Sequence, residues 1–131
     1  MINFFSKYKI IFYGANIVLI FLYLFPGSLI GCFLYNDCRI QPQIIRDLPF
    51  VSTNHVFAFI LLSLIACLTY FRYSNIKWVF YYLCFLSIIL EVFHLLIPER
   101  GFELPDVIGN LLGVFIILVI YKNFKKNYEK K

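Results

Sequence analysis

Four stretches of this chain carry no charged residue: Ile10 to Asn36, Val56 to Phe71, Trp78 to Leu90 and Val107 to Tyr121. A helix rises about 1.5 Å per residue, so roughly 20 apolar residues cross a hydrocarbon layer about 30 Å thick. Extended by flanking residues, the stretches predict helices near 9–30, 55–71, 77–97 and 104–121. The second and fourth are short, and tilt or local thinning of the bilayer absorbs the mismatch. With 62% hydrophobic and 15% charged residues among 131, the chain has more apolar surface than a soluble domain of this size can cover. The expected fold is an all-α membrane protein, a bundle of four transmembrane helices in a lipid bilayer. No repeat, low-complexity segment or linker divides residues 1–131, so one domain is expected.

Orientation follows from lysine and arginine. Lys7 and Lys9, Arg72 and Lys77, and the tail residues Lys122, Lys125, Lys126, Lys130 and Lys131 hold nine of the twelve basic residues. Arg39, Arg46 and Arg100 occupy the other side. The positive-inside rule therefore puts both termini in the cytoplasm. The net charge of +5 sits mostly in the tail, where it sets topology and touches anionic headgroups. Tyr121, Phe124 and Tyr128 fit an interfacial aromatic belt, and no nucleic-acid partner is expected.

Lys7 and Lys9 before an apolar run resemble a signal peptide, and Leu29-Ile30-Gly31-Cys32 resembles a lipobox. The run exceeds the roughly 7–15 residues of a signal core, so a retained first helix is the expectation. Cys67 and Cys84 fall within helices and read as small apolar groups. Cys32 and Cys38 lie in the first outer loop, where an oxidising compartment permits a disulfide, although spacing alone does not fix its geometry. That loop, about residues 31–54, has Ile40, Ile44, Ile45 and Leu48 at helical spacing between Pro42 and Pro49. A short helix in the headgroup plane is predicted there, with Arg39 and Arg46 at phosphate level.

Polar residues then mark a site. Cys84, Ser87, Glu91 and His94 form one stripe on the third predicted helix, and Asp106, Asn110, Gly113 and Ile117 form another on the fourth. Gly109 and Gly113 give a small-residue contact surface. If the third helix ends near Pro98, Glu91 lies about 10 Å below that end, and Asn110 lies about 8 Å below Leu104, so the levels match. His55 opens the second helix at the same end, and Arg100 in the loop Pro98-Glu99-Arg100-Gly101 reaches over it. A carboxylate at such depth is expensive unless protonated, paired or hydrated. Glu91, His94 and Asp106 are the candidate catalytic residues; His55, Arg100, Asn110 and Gly113 are candidate binding residues. The bland alternative is that these groups serve only as hydrogen-bonding glue between helices. For Asn110 the glue reading is favoured; for Glu91 function is favoured, because glutamine would pack without the cost of ionisation.

Glu-x-x-His places two ligands on one helical face, and Asp106 with His55 would extend the set. Di-iron bundles use that motif on two helices and this chain has it once, so no metal and no cofactor is expected. No Gly-rich phosphate loop, Ser-His-Asp arrangement or clustered-cysteine motif is present.

From His55 to Gly113 the order of these residues resembles the VanZ-like membrane proteins of bacteria. The resemblance rests on an outer-end His opening one helix, Glu-x-x-polar closing the next, Arg100-Gly101-Phe102-Glu103-Leu104-Pro105-Asp106, and then Asp-x-x-x-Asn-x-x-Gly. Relatives typically have Asp-Lys-x-x-His with a Tyr four residues on, and Glu-x-x-Gln; here Val51, Ser52, Phe59 and His94 stand at the departing positions. His55, Glu91, Arg100, Asp106, Asn110 and Gly113 match. The resemblance implies about four helices and a bacterial cell-envelope setting. The name-giving member is associated with resistance to teicoplanin, a role not assumed for this chain.

Three functions are in view. The first binds or modifies an envelope lipid or lipid-linked wall precursor. The second is a non-enzymatic accessory subunit that packs on a membrane-protein partner. The third, a small transporter, ranks last because no polar stripe reaches the cytoplasmic face; Asn16 reads as a packing hydrogen bond.

Overall fold

The computed structural model describes residues 1–128; Lys130 and Lys131, two of the tail lysines in the charge argument, lie outside them. The described regular structure is helical: α1 (Ile2–Lys7), α2 (Ile10–Leu24), α3 (Leu29–Tyr35), α4 (Thr53–Tyr70), α5 (Ile76–Phe93) with a closing 3₁₀ turn His94–Leu96, and α6 (Leu104–Tyr128). α4, α5 with its 3₁₀ turn, and α6 are long and apolar enough to cross a membrane. α2 and α3 together make a fourth candidate span, bent by 76°.

The predicted first helix of 9–30 is therefore broken. Pro26 lacks an N–H and drives the residue before it out of the helical region, and Phe25 is extended at φ −69°, ψ 130°. Gly27 follows at φ +75°, a conformation glycine adopts without strain. Ser28 then caps α3, its Oγ accepting from the Gly31 N–H at 3.0 Å.

The helix predicted between Ile40 and Leu48 is absent. Side chains claim that backbone instead: the Ile44 N–H donates to Asn54 Oδ1 (3.0 Å), Asn54 Nδ2 donates to the Pro42 carbonyl (2.6 Å), and the Thr53 hydroxyl donates to the Ile45 carbonyl (2.6 Å). Pro42 has no N–H to give a helix, and asparagine and threonine compete for backbone groups in this way. The apolar residues of the segment recur at helical spacing without helical backbone.

α6 runs seven residues beyond its predicted end at 121. Phe71 at the end of α4 explains this, with edge contacts to Tyr121 (5.7 Å), Phe124 (5.9 Å) and Tyr128 (5.8 Å) between ring centroids. Lysines in the final turn also complement the helix dipole.

α4 and α6 share the most extensive helix contact. Gly109 and Gly113 make it possible: a β-carbon at 113 would stand 2.6 Å from the Val56 carbonyl oxygen, and one at 109 would stand 2.5 Å from that of Ser52. The glycine surface thus faces α4, while Asn110 beside it also reaches Ser87 on α5. Phe59, Leu62, Leu83, Leu90 and Val114 fill the interior. Asn16 is buried on α2 and accepts from the Tyr82 hydroxyl at 2.6 Å, joining α2 to α5. The outward faces carry Ile17, Val18 and Phe21 on α2, Trp78, Tyr81 and Phe85 on α5, and Phe115, Val119 and Ile120 on α6. So much exposed apolar side chain suits hydrocarbon and not water.

At the lysine-rich end, Lys9 lies 4.2 Å from the ring centroid of Tyr73. The polar stripes converge at the opposite end, where α2 stops, α4 begins, α5 stops and α6 begins.

Candidate functional site: a polar cluster roofed by an arginine

Asn110 sits at the centre of this cluster, fully buried. Its Nδ2 donates to the Ser87 carbonyl on α5 at 3.1 Å, which fixes the orientation of the amide. Oδ1 then accepts from the Tyr23 hydroxyl at 2.7 Å and faces His55 Nδ1 at 3.2 Å. Since Oδ1 can only accept, His55 carries its proton on Nδ1 and turns Nε2 toward Asp106 Oδ2, 3.4 Å away. One amide thereby ties together α2, α4, α5 and α6.

His94 is equally constrained. Its Nε2–H donates to the Tyr23 carbonyl at 3.0 Å, because a carbonyl has no proton to give. Nδ1 lies 3.1 Å from Glu91 Oε1, a spacing that makes a hydrogen bond only when a further proton lies between the two atoms. The two side chains thus face each other directly, one turn apart and both buried. Glu91 Oε1 also accepts from the Glu103 N–H at 2.9 Å, which draws the 97–103 turn over α5. Glu91 Oε2 is buried with no hydrogen-bond partner among the described residues.

Arg100 closes the end of the bundle from above. Its Nε donates to the Phe25 carbonyl at 3.1 Å and its Nη2 to the Gly27 carbonyl, the two groups freed where α2 breaks. Burial lowers its pKa from the ordinary value, while Glu91 and Asp106 raise it. Arginine keeps its charge in such a place, and its planar fork suits two carbonyls at once. Arg100→Met is expected to cost about 2–3 kcal/mol through these two charge-assisted bonds. Denaturant titration in mixed micelles checks this, with Arg100→Lys expected to recover less than half of the loss. Full recovery by lysine would show that charge alone matters there.

A cavity of about 540 Å³ opens beside the cluster, lined among others by Arg39, Gln43, Asp47, His55, Arg100 and Asp106. A second hollow of about 370 Å³ shares Ser28, Asn54, His55 and Arg100 with it and continues between Leu22, Leu29, Leu34, Ile44 and Ala58. Polar and apolar chambers thus meet at His55 and Arg100. Cys38 lies on the wall of the first; it is joined to Cys32 by a disulfide with Cα atoms 4.1 Å apart.

Of the residues singled out in the sequence, His55, Glu91, His94, Asp106 and Asn110 come together here, with Arg100 above them. Gly113 does not; it lies deeper, against Val56 and Phe59, and lines neither chamber. Arg46 also lies away from the cavity wall. Tyr23 is the residue that sequence reasoning missed. Besides its bonds to Asn110 and His94 it stands edge-on to His55 at 5.0 Å and stacked on His94 at 6.0 Å. Its signal was a tyrosine three residues before Pro26, where a helix end leaves a carbonyl to be satisfied.

Fold and cluster together define an all-helical chain with three or four helices able to cross a membrane and a buried His/Asp/Glu/Asn cluster at one end. The chain matches no protein-family model, no curated protein and no solved structure.

Proposed function

We propose that this is a VanZ-like protein of the bacterial cytoplasmic membrane. In this reading it has four spans, both termini in the cytoplasm, and a polar pocket facing outward that binds or modifies an envelope lipid or lipid-linked wall precursor. The observation that carries the reading is the meeting of two chambers at His55 and Arg100. A phosphate-bearing headgroup suits the polar chamber, where Arg39 and the remaining N–H groups of Arg100 offer charge-assisted hydrogen bonds. A hydrocarbon chain suits the apolar one, reached past α3 where the first span bends. Such pockets combine mostly apolar walls with a few placed polar groups.

In this reading Glu91 and His94 share a proton that a bound headgroup can take up or return, and Asn110 with Tyr23 holds His55 in one tautomer. The positive-inside distribution of lysine and arginine supports the orientation.

Comparative mass spectrometry of envelope lipids and wall fragments tests the proposal, using cells lacking the protein, expressing it, or expressing Glu91→Gln at equal membrane abundance. The expected result is a lipid-linked species that changes with the intact protein and reverts with Glu91→Gln. Identical profiles in all three would overturn the modifying reading and favour an accessory subunit in a larger membrane complex.

A further inference from the structure

Of the four side chains that the sequence offers as a possible ligand set, His94 has both ring nitrogens engaged, Nε2 by the Tyr23 carbonyl and Nδ1 beside Glu91 Oε1. A different trio converges: ligand atoms of His55, Glu91 and Asp106 all lie within 4.8 Å of one another. We propose that these three side chains form a binding site for one divalent transition-metal ion, zinc or manganese, at the floor of the polar cavity.

Four observations carry this. First, His55 Nδ1 is committed to Asn110 Oδ1, so Nε2 offers a lone pair on the side where Asp106 Oδ2 stands at 3.4 Å. Two ligands on one tetrahedral zinc, with bonds near 2.0–2.1 Å, sit about 3.3–3.4 Å apart. His55 and Asp106 are already at that spacing. A second-shell acceptor that fixes the imidazole tautomer is the usual companion of a metal-bound histidine.

Second, Glu91 is fully buried and its Oε2 has no hydrogen-bond partner among the described residues. Oε1 is engaged by Glu103 and His94, so Oε2 is the oxygen left to coordinate. A buried carboxylate oxygen without a donor calls for a ligand or ion to explain it.

Third, among the described residues neither Glu91 nor Asp106 pairs with a lysine or arginine; their ion-pair partners are the two histidines. Arg100 stands close, yet its hydrogen bonds go to the Phe25 and Gly27 carbonyls. With both carboxylates ionised and the His55 imidazole neutral, the trio carries two negative charges, which a divalent ion neutralises. One nitrogen with two carboxylate oxygens suits zinc or manganese better than a soft ion selected by thiolates.

Fourth, His55 and Asp106 both line the cavity, so an entry path and open coordination positions exist. Three protein ligands with a remaining position on the cavity side is the arrangement of a metal that meets a ligand, not of a closed structural site. Glu91 closes the remaining gap by adjusting its side-chain torsions, of which it has three.

The site is independent of the lipid reading, because it can be examined in detergent without any substrate. Full-length protein, stripped with chelator and desalted, is titrated with Zn²⁺ and separately Mn²⁺ by calorimetry, and with Co²⁺ by visible absorption. One ion per chain is expected, with a Co²⁺ spectrum of low, nitrogen-containing coordination. His55→Ala and Asp106→Asn are each expected to weaken binding at least 100-fold, while Glu99→Gln, on the exposed rim of the same cavity, leaves it unchanged. Absence of stoichiometric binding by folded wild-type protein, or a Co²⁺ spectrum indistinguishable from the hydrated ion, overturns the proposal whatever the variants do. So does binding that survives both ligand substitutions.

Discussion

Gly113→Val is expected to destabilise the bundle by about 2–4 kcal/mol. A β-carbon there would meet the Val56 carbonyl oxygen at 2.6 Å, Phe59 Cβ at 2.8 Å and the Ile60 nitrogen at 2.9 Å. Two of the three are backbone atoms of α4 and cannot rotate aside. α4 and α6 must separate, and separation opens the tightly packed layer of Phe59, Leu62 and Val114. Inside a bilayer this packing is a main source of helix association, because hydrocarbon outside the bundle is as apolar as leucine within it. Gly14 is the control: nothing lies within 4 Å of a β-carbon built on it in α2, so Gly14→Ala is expected to be neutral or to stabilise by about 0.5–1 kcal/mol. Unfolding by denaturing detergent in mixed micelles measures both. Equal losses at 14 and 113 would contradict the close α4–α6 approach.

Asn110→Leu is expected to cost about 2–4 kcal/mol, since interhelical hydrogen bonds in membranes contribute about 0.6 kcal/mol on average and up to about 1.7. Three are lost together, and the Tyr23 hydroxyl and His55 Nδ1–H are left buried without an acceptor. A double-mutant cycle of Asn110→Leu with Tyr23→Phe isolates one of them. Coupling near 1 kcal/mol is expected; no coupling would mean that the Tyr23 hydroxyl contributes nothing to the join between α2 and α6.

Much of this architecture was legible in the chain. Charge-free runs placed α4, and α5 taken with its 3₁₀ turn, to within a residue or two, and rise per residue put Glu91 and Asn110 at one depth, where Asn110 does bond to α5, through Ser87. Two features were misread for identifiable reasons. The run from Ile10 to Asn36 has no charge to mark a boundary, and its punctuation, Pro26-Gly27, acts through backbone geometry that hydropathy ignores. The segment from Ile40 to Leu48 repeats apolar residues at helical spacing, but Asn54 and Thr53, outside the segment, take its backbone groups. Periodicity within a window cannot register a competitor ten residues away. Tyr23 escaped for a third reason: an aromatic in an apolar helix reads as packing, and only the neighbouring helices reveal that its hydroxyl and carbonyl are both engaged. The orientation of each imidazole was likewise hidden, because Glu-x-x-His shows which side chains share a helical face and not which nitrogen points where.

The Glu91–His94 pair has one further consequence, for biogenesis. It is the one acid–base contact of the cluster formed within a single turn of one helix, whereas His55 and Asp106 lie on α4 and α6. During synthesis α5 emerges before α6 has been made, so Asn110 and Glu103 are not yet available to it. A lone carboxylate at that depth would count against release of the segment into lipid by several kcal/mol on insertion scales. α5 instead carries a hydrogen-bonding partner for its carboxylate three residues away, available before any other helix is present. For a chain inserted one helix at a time, such an internal match would let α5 be handled on its own.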